Sequence, residues 1–239
     1  MPFCSVSREE MRKVVRELLA ATAALVIGAS AAHAGGSWEG AYVGLHAGYG
    51  WGDVSVKDTT GGVTPGPFDY TARGFLGGAS AGYNLQAGIT VVGIEADIGY
   101  LGLNGRGIIP SSDPAHHQDI TLDGGLYGDI TGRLGFVRGN ALFYGKGGLA
   151  LYGGEALQKT TKPGFVSHGT GTFTGWTAGG GLEFALTPHT TLKVEYLHFD
   201  FGHQGGDQTS VSDDPVGFVY KNTTSLTADT VKLGINYKF

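Results

Sequence analysis

The chain has 239 residues and a formal net charge of −5 at pH 7, with 16 Lys and Arg against 21 Asp and Glu, 44 glycines and one cysteine. The acidic balance argues against a nucleic-acid partner. Cys4 lies in a segment the sequence marks for removal, which leaves no disulfide or thiol chemistry for the remainder.

That segment comes first along the chain. Arg8, Arg12, Lys13 and Arg16 precede an apolar run from Leu18 to Ala29, and Ala32-His33-Ala34 follows as an A-x-A cleavage pattern. This arrangement predicts a secretory signal peptide over residues 1–34, cleaved after Ala34. Glu9 and Glu10 lengthen the basic region unusually, and a start at Met11 gives a more ordinary one. The remainder, 35–239, has the size of one domain. It contains no apolar run of about 18 residues, which excludes a helical membrane protein.

From Gly40 onward, apolar residues occupy every second position in eight stretches, near 41–52, 74–84, 89–101, 125–137, 142–153, 173–185, 190–201 and 228–239. The links alternate in length. Residues 85–88, 138–141 and 186–189 read as hairpin turns, whereas 53–73, 102–124, 154–172 and 202–227 read as long polar loops. An even number of alternating strands, with short turns at one end and long loops at the other, is how an outer-membrane barrel is arranged. Many glycines sit inside the strands, as at Gly44, Gly48 and Gly50, where a small, strongly curved barrel needs narrow inner positions. The expected fold is all-β, an eight-stranded antiparallel transmembrane up-and-down β-barrel over 35–239.

Charge falls on one face of these strands. Glu95 and Asp97 oppose Ile94, Ala96 and Ile98; Asp129 and Arg133 oppose Ile130 and Leu134; Lys146 opposes Phe143 and Leu149. Glu183 opposes Leu182 and Phe184, Lys193 and Glu195 oppose Leu192 and Val194, and Lys232 and Lys238 oppose Leu233 and Ile235. A lipocalin-like soluble barrel would turn the apolar face inward, a membrane barrel outward. Aromatic position favours the membrane. Trp38, Tyr83, Phe136, Phe143, Phe184, Tyr237 and Phe239 gather at one rim, and Tyr49, Trp51, Phe75, Tyr100, Tyr152, Phe173, Trp176 and Phe199 at the other, as two interfacial girdles would.

The stretch Gly40-Ala41-Tyr42-Val43-Gly44-Leu45-His46-Ala47-Gly48-Tyr49-Gly50-Trp51-Gly52 resembles the first strand of porin-family outer-membrane proteins of alphaproteobacteria. The last strand, with Val231, Leu233, Ile235, Tyr237 and Phe239 on one face, resembles the C-terminal signal read by the barrel-assembly machinery. The resemblance spans 35–239 and implies a small barrel of the OmpA and OmpX type in the cell outer membrane, in contact with lipid and lipopolysaccharide. No periplasmic domain is expected after the barrel.

Inside such a barrel, Glu95, Asp97, Asp129, Glu183 and Glu195 face Arg133, Lys146, Lys193, Lys232 and Lys238, five of each sign. Buried charges must be paired, so this near-balance points to an ion-pair network plugging a narrow lumen; a low-conductance porin is the alternative. No cofactor, metal or catalytic residue is expected. His116, His117, His168 and His203 fall in separate loops without metal-ligand spacing, and His198 with Asp200 lacks a neighbouring nucleophile motif for a barrel hydrolase. The loop carboxylates Asp53, Asp58, Asp69, Asp113, Asp119, Asp123, Asp207, Asp213 and Asp214 suit a solvated rim or cation bridging to lipopolysaccharide phosphates. The four long loops are where a surface partner would bind. The expected role is therefore envelope structure and surface contact, without catalysis.

Overall fold

A computed structural model describes residues 37–58, 67–110, 117–160, 166–209 and 219–239. The chain divides into two units, 1–34 and 35–239. The expected signal peptide falls in the first, which lies outside the described residues.

The second unit is built from β1 (Gly40–Asp58), β2 (Pro67–Ala87), β3 (Thr90–Leu101), β4 (Gly105–Pro110), β5 (His117–Arg138), β6 (Ala141–Thr160), β7 (Val166–Ala185), β8 (Thr190–Thr209) and β9 (Val219–Lys238). The sheet order is β3-β2-β1-β9-β8-β7-β6-β5-β4, and pairing of β3 with β5 closes it into a barrel. β3 and β4 share one wall position. The strand breaks after Leu101, Asn104 bridges to Arg73 of β2, and β4 resumes against β5 from Gly105 opposite Leu122. The nine segments thus make an eight-stranded antiparallel wall. First and last strands seal it, with Tyr42 opposite Lys238 and the Phe239 amide donating to the Ala41 carbonyl at 3.1 Å.

Gly88 and Gly139 open the two-residue links from β2 to β3 and from β5 to β6, each with φ of +62°. That left-handed conformation suits tight hairpins and favours glycine.

The alternation read from sequence sorts side chains between inside and outside. Val43, Leu45, Phe75, Ile94, Ile98, Ile130, Leu134, Leu149, Leu233 and Ile235 project outward and exposed, Phe75 by 79% and Leu149 by 73%. An apolar surface of this extent needs lipid. It ends where the outward residues turn polar, at Asp53 on β1, Arg73 on β2 and Asp123 on β5. The strands run on well past that level. β1 has 19 residues and β5 has 22, about twice the ~9–11 that cross a bilayer.

The predicted long loops are accordingly much shorter than expected. Residues 53–58, 67–73, 117–124, 154–160, 166–172, 202–209 and 219–227 are strand, as is 105–110. Above the membrane the outer face meets water and the apolar contrast that marks a strand in sequence disappears, while the backbone ladder continues. The barrel-wall ladder is not uniform there. Among the described residues β7 pairs with β8 only from Trp176–Asp200 to Ala185–Thr191, whereas β6–β7 extends to Lys159–Val166 and β8–β9 to Thr209–Val219.

The interior has three layers. Trp38, Val91, Leu142 and Tyr144 fill the short-turn end. A polar layer follows, and towards the long-loop end Val54, Leu76, Leu101, Leu103, Leu122, Tyr152, Phe173, Leu197, Phe199, Phe201 and Leu226 form an apolar core. Burial against that core pushes the partly buried Tyr70 hydroxyl up to about 12. Four aromatics expected at the rims are corrected by this layering: Trp38, Tyr152, Phe173 and Phe199 point inward and are buried. Phe199 shares its strand parity with Lys193, and Tyr152 with Lys146, so the pleat sends them inside. Tyr49, Trp51, Phe75, Tyr100 and Trp176 remain on the outer face at that level.

Candidate functional site

Among the described residues the polar layer is held by side chains from seven of the eight wall positions, all but β2, whose inward Ser80 hydroxyl has no hydrogen-bond partner. Glu95 on β3 is fully buried and is its hub. It accepts from Lys146 Nζ at 2.6 Å, Lys193 Nζ at 3.2 Å, Arg133 Nη1 at 3.4 Å and the Tyr42 hydroxyl at 2.7 Å. β3 and β8 stand four positions apart in the eight-position wall, so the Lys193–Glu95 pair crosses the lumen. Lys193 stands opposite Glu183 in the β7–β8 ladder, yet its amine reaches past that neighbour to the far wall.

Two like-charged neighbours divide the remaining partners. Arg133 and Lys146 face each other on β5 and β6, an unfavourable register unless each finds its own carboxylates. Arg133 turns to Glu183 at 3.1 Å and Glu95, with its guanidinium between the Tyr42 ring at 5.1 Å and the Tyr144 ring at 4.7 Å. Stacking on two aromatic faces adds attraction of about 1–2 kcal/mol in a desolvated setting. Lys146 turns the other way, to Asp97 at 2.9 Å and Glu195 at 3.3 Å besides Glu95. Lys232 joins Asp97 at 3.2 Å to Glu195 at 2.9 Å.

Neutral groups complete the lattice. The Tyr144 hydroxyl donates to Glu195 at 2.8 Å, Asn236 Nδ2 donates to Glu183 at 2.7 Å, and the Thr191 hydroxyl donates to Glu183 as well. Glycine makes room for the two rings. A Cβ on Gly82 would lie 2.3 Å from the Tyr42 hydroxyl, and one on Gly181 would lie 2.7 Å from that of Tyr144. Oxygens of Glu95, Asp97 and Glu195 converge within 4.8 Å, a spacing that suits a metal ion. The Lys146 ammonium is bonded to all three, so it takes the place a metal would occupy.

The sequence-predicted lumen residues divide into three outcomes. Glu95, Asp97, Arg133, Lys146, Glu183, Lys193, Glu195 and Lys232 meet in the lattice. Asp129 points inward and is buried, but neither of its oxygens has a hydrogen-bond partner. Lys238 stands at the short-turn rim and donates to the Ser37 carbonyl, outside the lattice. Sequence reasoning missed Tyr42, His46, Ser80 and Thr191 as inward polar groups. The parity of Gly44 and Gly48 places Tyr42 and His46 inside, and that signal was available in the strand itself.

The other candidates resolve separately. Val231, Leu233, Ile235, Tyr237 and Phe239 all face outward, with the Tyr237 and Phe239 rings edge to face at 5.5 Å. His198 does not pair with Asp200. Its Nδ1 bonds Asp229 across the ladder at 2.9 Å on the outer wall, where Tyr196 donates to the same carboxylate at 2.6 Å. Asp200 instead accepts from the Gly202 amide at 2.9 Å. Asp53 accepts from the Thr71 hydroxyl at 3.4 Å, Asp123 faces outward, and the side chains of Asp58, Asp113, Asp119, Asp207, Asp213 and Asp214 lie outside the described residues. So do those of His116, His117, His168 and His203.

Comparison with known proteins agrees with this architecture. Residues 20–239 match the family described as outer membrane protein beta-barrel domain. The 31 kDa outer-membrane immunogenic protein of Brucella melitensis is 31% identical over 211 residues, covering 85% of this chain and 84% of its own. The 22 kDa outer membrane protein of Rhizobium leguminosarum bv. viciae is 30% identical over 204 residues, with 85% and 79% covered. The crystal structure of the outer membrane protein OprG from Pseudomonas aeruginosa aligns with a TM-score of 0.54 at 14% identity, over 85% of this chain and 98% of OprG, which speaks to fold alone.

Proposed function

Because the chain belongs to the outer membrane protein beta-barrel domain family and is an outer-membrane protein, we propose that it works as a structural, non-enzymatic element of the envelope with its lumen closed by ion pairs. The carrying observation is the lattice centred on Glu95, in which Lys193 reaches the opposite wall and Lys146 joins three carboxylates. An eight-stranded barrel is only wide enough for its side chains to fill. With apolar layers above and below the lattice, the interior favours a plug over a path for ions. In this reading residues 1–34 are a signal peptide removed on export, and the outward face Val231, Leu233, Ile235, Tyr237 and Phe239 is presented to the barrel-assembly machinery. The outer wall meets lipid and lipopolysaccharide.

The long-loop end supplies surface contact. Its strands stand well clear of the lipid-facing belt, and the description of the Brucella relative as immunogenic supports exposure of this end to the outside. Planar bilayer recording tests the closed lumen. Expected is no discrete conductance from the purified barrel. Steps whose size changes in Glu95→Ala or Lys193→Ala would establish the low-conductance porin instead.

A further inference from the structure

The wall splits between β7 and β8. Among the described residues their ladder ends at Trp176–Asp200, while each strand stays paired on its other side, β7 to β6 as far as Val166 and β8 to β9 as far as Thr209. The cause is local to β8. Phe201 and Gly202 interrupt its register with β9 between Asp200 and His203, and Gly202 takes a φ of +65° with its amide donating to Asp200 Oδ1 at 2.9 Å. Such a bulge bends its strand and ends pairing. At the base of the split the strands still touch, since a Cβ on Gly175 would run into the Asp200 carbonyl and the Phe201 backbone.

Beyond that base, 166–175 on β7 and 201–209 on β8 each present a backbone edge without a ladder partner among the described residues. Water satisfies such groups, but a row of them is a template for another strand. Neither segment contains the Lys or Pro that commonly blunts an edge. The two edges also complement each other across copies. β7 runs toward the short-turn end and β8 runs away from it, so a two-fold axis along the membrane normal sets each edge against the second copy's other edge, antiparallel, as the same strands pair below. A foreign strand in the split would be antiparallel to one edge and parallel to the other, the weaker arrangement.

A second feature lies toward the short-turn end, on the lipid-facing surface. There Gly147 stands opposite Ala178 and Gly145 opposite Gly180, an outward patch of small residues on β6 and β7 next to the split. The two-fold places this patch against the second copy's β8, from which Val194, Tyr196 and His198 project outward. Small residues let membrane-embedded surfaces approach closely.

We infer that two copies of this chain associate in the outer membrane through the split, β7 of each pairing with β8 of the other. The pairing stands whether or not the lumen conducts.

The test is sedimentation of the full-length barrel extracted from outer membranes in mild detergent, which should show a dimer. Ala178→Trp should weaken the dimer roughly tenfold or more by filling the small patch, with folding checked by heat-dependent gel mobility. Ala96→Trp, outward on β3 and away from the split, should leave the dimer intact. Residues 35–239 contain no cysteine, so introduced thiols report without background. Thr170→Cys and Gln204→Cys on separate, co-expressed chains should be joined by a short bis-maleimide into linked pairs, and either variant alone should not. A monomer at every concentration, or a dimer indifferent to Ala178→Trp, would overturn the proposal. So would a double variant whose two thiols are linked within one chain, because the split would then close on itself.

Discussion

The ionic layer around Glu95 and the apolar layer around Phe199 are stacked in one lumen, lined by the same strands, and filled by opposite chemistry. On β8 the change happens within a few residues of one face: Lys193 and Glu195 belong to the lattice, while Leu197, Phe199 and Phe201 belong to the apolar core. What differs is the medium outside the wall. Where lipid surrounds the barrel, polar side chains have only the interior to occupy, and they must pair there. The interior begins to turn apolar inside the belt, where Tyr127, Tyr152 and Leu76 point inward beside the outward Leu126, Leu151 and Phe75, and further up the outer face turns polar while the interior packs like that of an ordinary soluble protein. Towards the long-loop end the molecule thus inverts its sidedness.

Removing the hub of the ionic layer should have the largest effect. Glu95→Ala deletes the shared acceptor of Lys146, Lys193, Arg133 and Tyr42 and leaves buried cations short of partners. Destabilisation of about 3–5 kcal/mol is expected from denaturant unfolding in detergent. Phe199→Ala cuts a cavity in the other layer, where Phe199 stacks on Phe201 at 5.5 Å and meets Tyr127 edge to face. A loss of similar size, about 3–5 kcal/mol, is expected there. An ionic layer as tolerant as a surface patch, with a loss near zero for Glu95→Ala, would break the comparison.

Outward substitutions sharpen it from the other side. Ile94 and Ile108 are exposed by 57% and 61%, one on β3 within the lipid-facing belt and one on β4 beyond it. Ile94→Lys should cost roughly 2–4 kcal/mol in a bilayer. Ile108→Lys should stay within about 0.5 kcal/mol, because it exchanges one water-exposed side chain for another. Equal costs at the two positions would remove the proposed change of medium.

The same inversion explains what could be read from sequence. The eight strands were legible where lipid makes the outward face apolar, as in Ile94, Ala96 and Ile98 against Glu95 and Asp97. They became illegible beyond Asp53 and Arg73, where water outside erases the contrast while the ladder runs on. Phe199, Tyr152 and Phe173 lie near strand ends, where a rim girdle is expected, but their parity with Lys193, Lys146 and Glu183 sends them inside. Lys238 shares its parity with Lys232 but lies past the polar layer at the rim, so a balance of five against five becomes five against four. Pairing across the lumen was beyond sequence reach. Ladder register sets Lys193 opposite Glu183, and only the curvature of the closed wall brings its amine to Glu95.

That cross-lumen contact is tested most directly by a double-mutant cycle on Glu95→Gln and Lys193→Met, read by reversible unfolding in detergent. Expected is a coupling of about 1–3 kcal/mol, with the double variant more stable than the sum of the single losses implies. Additive losses, within about 0.5 kcal/mol, would contradict a lumen held together by ion pairs between opposite walls.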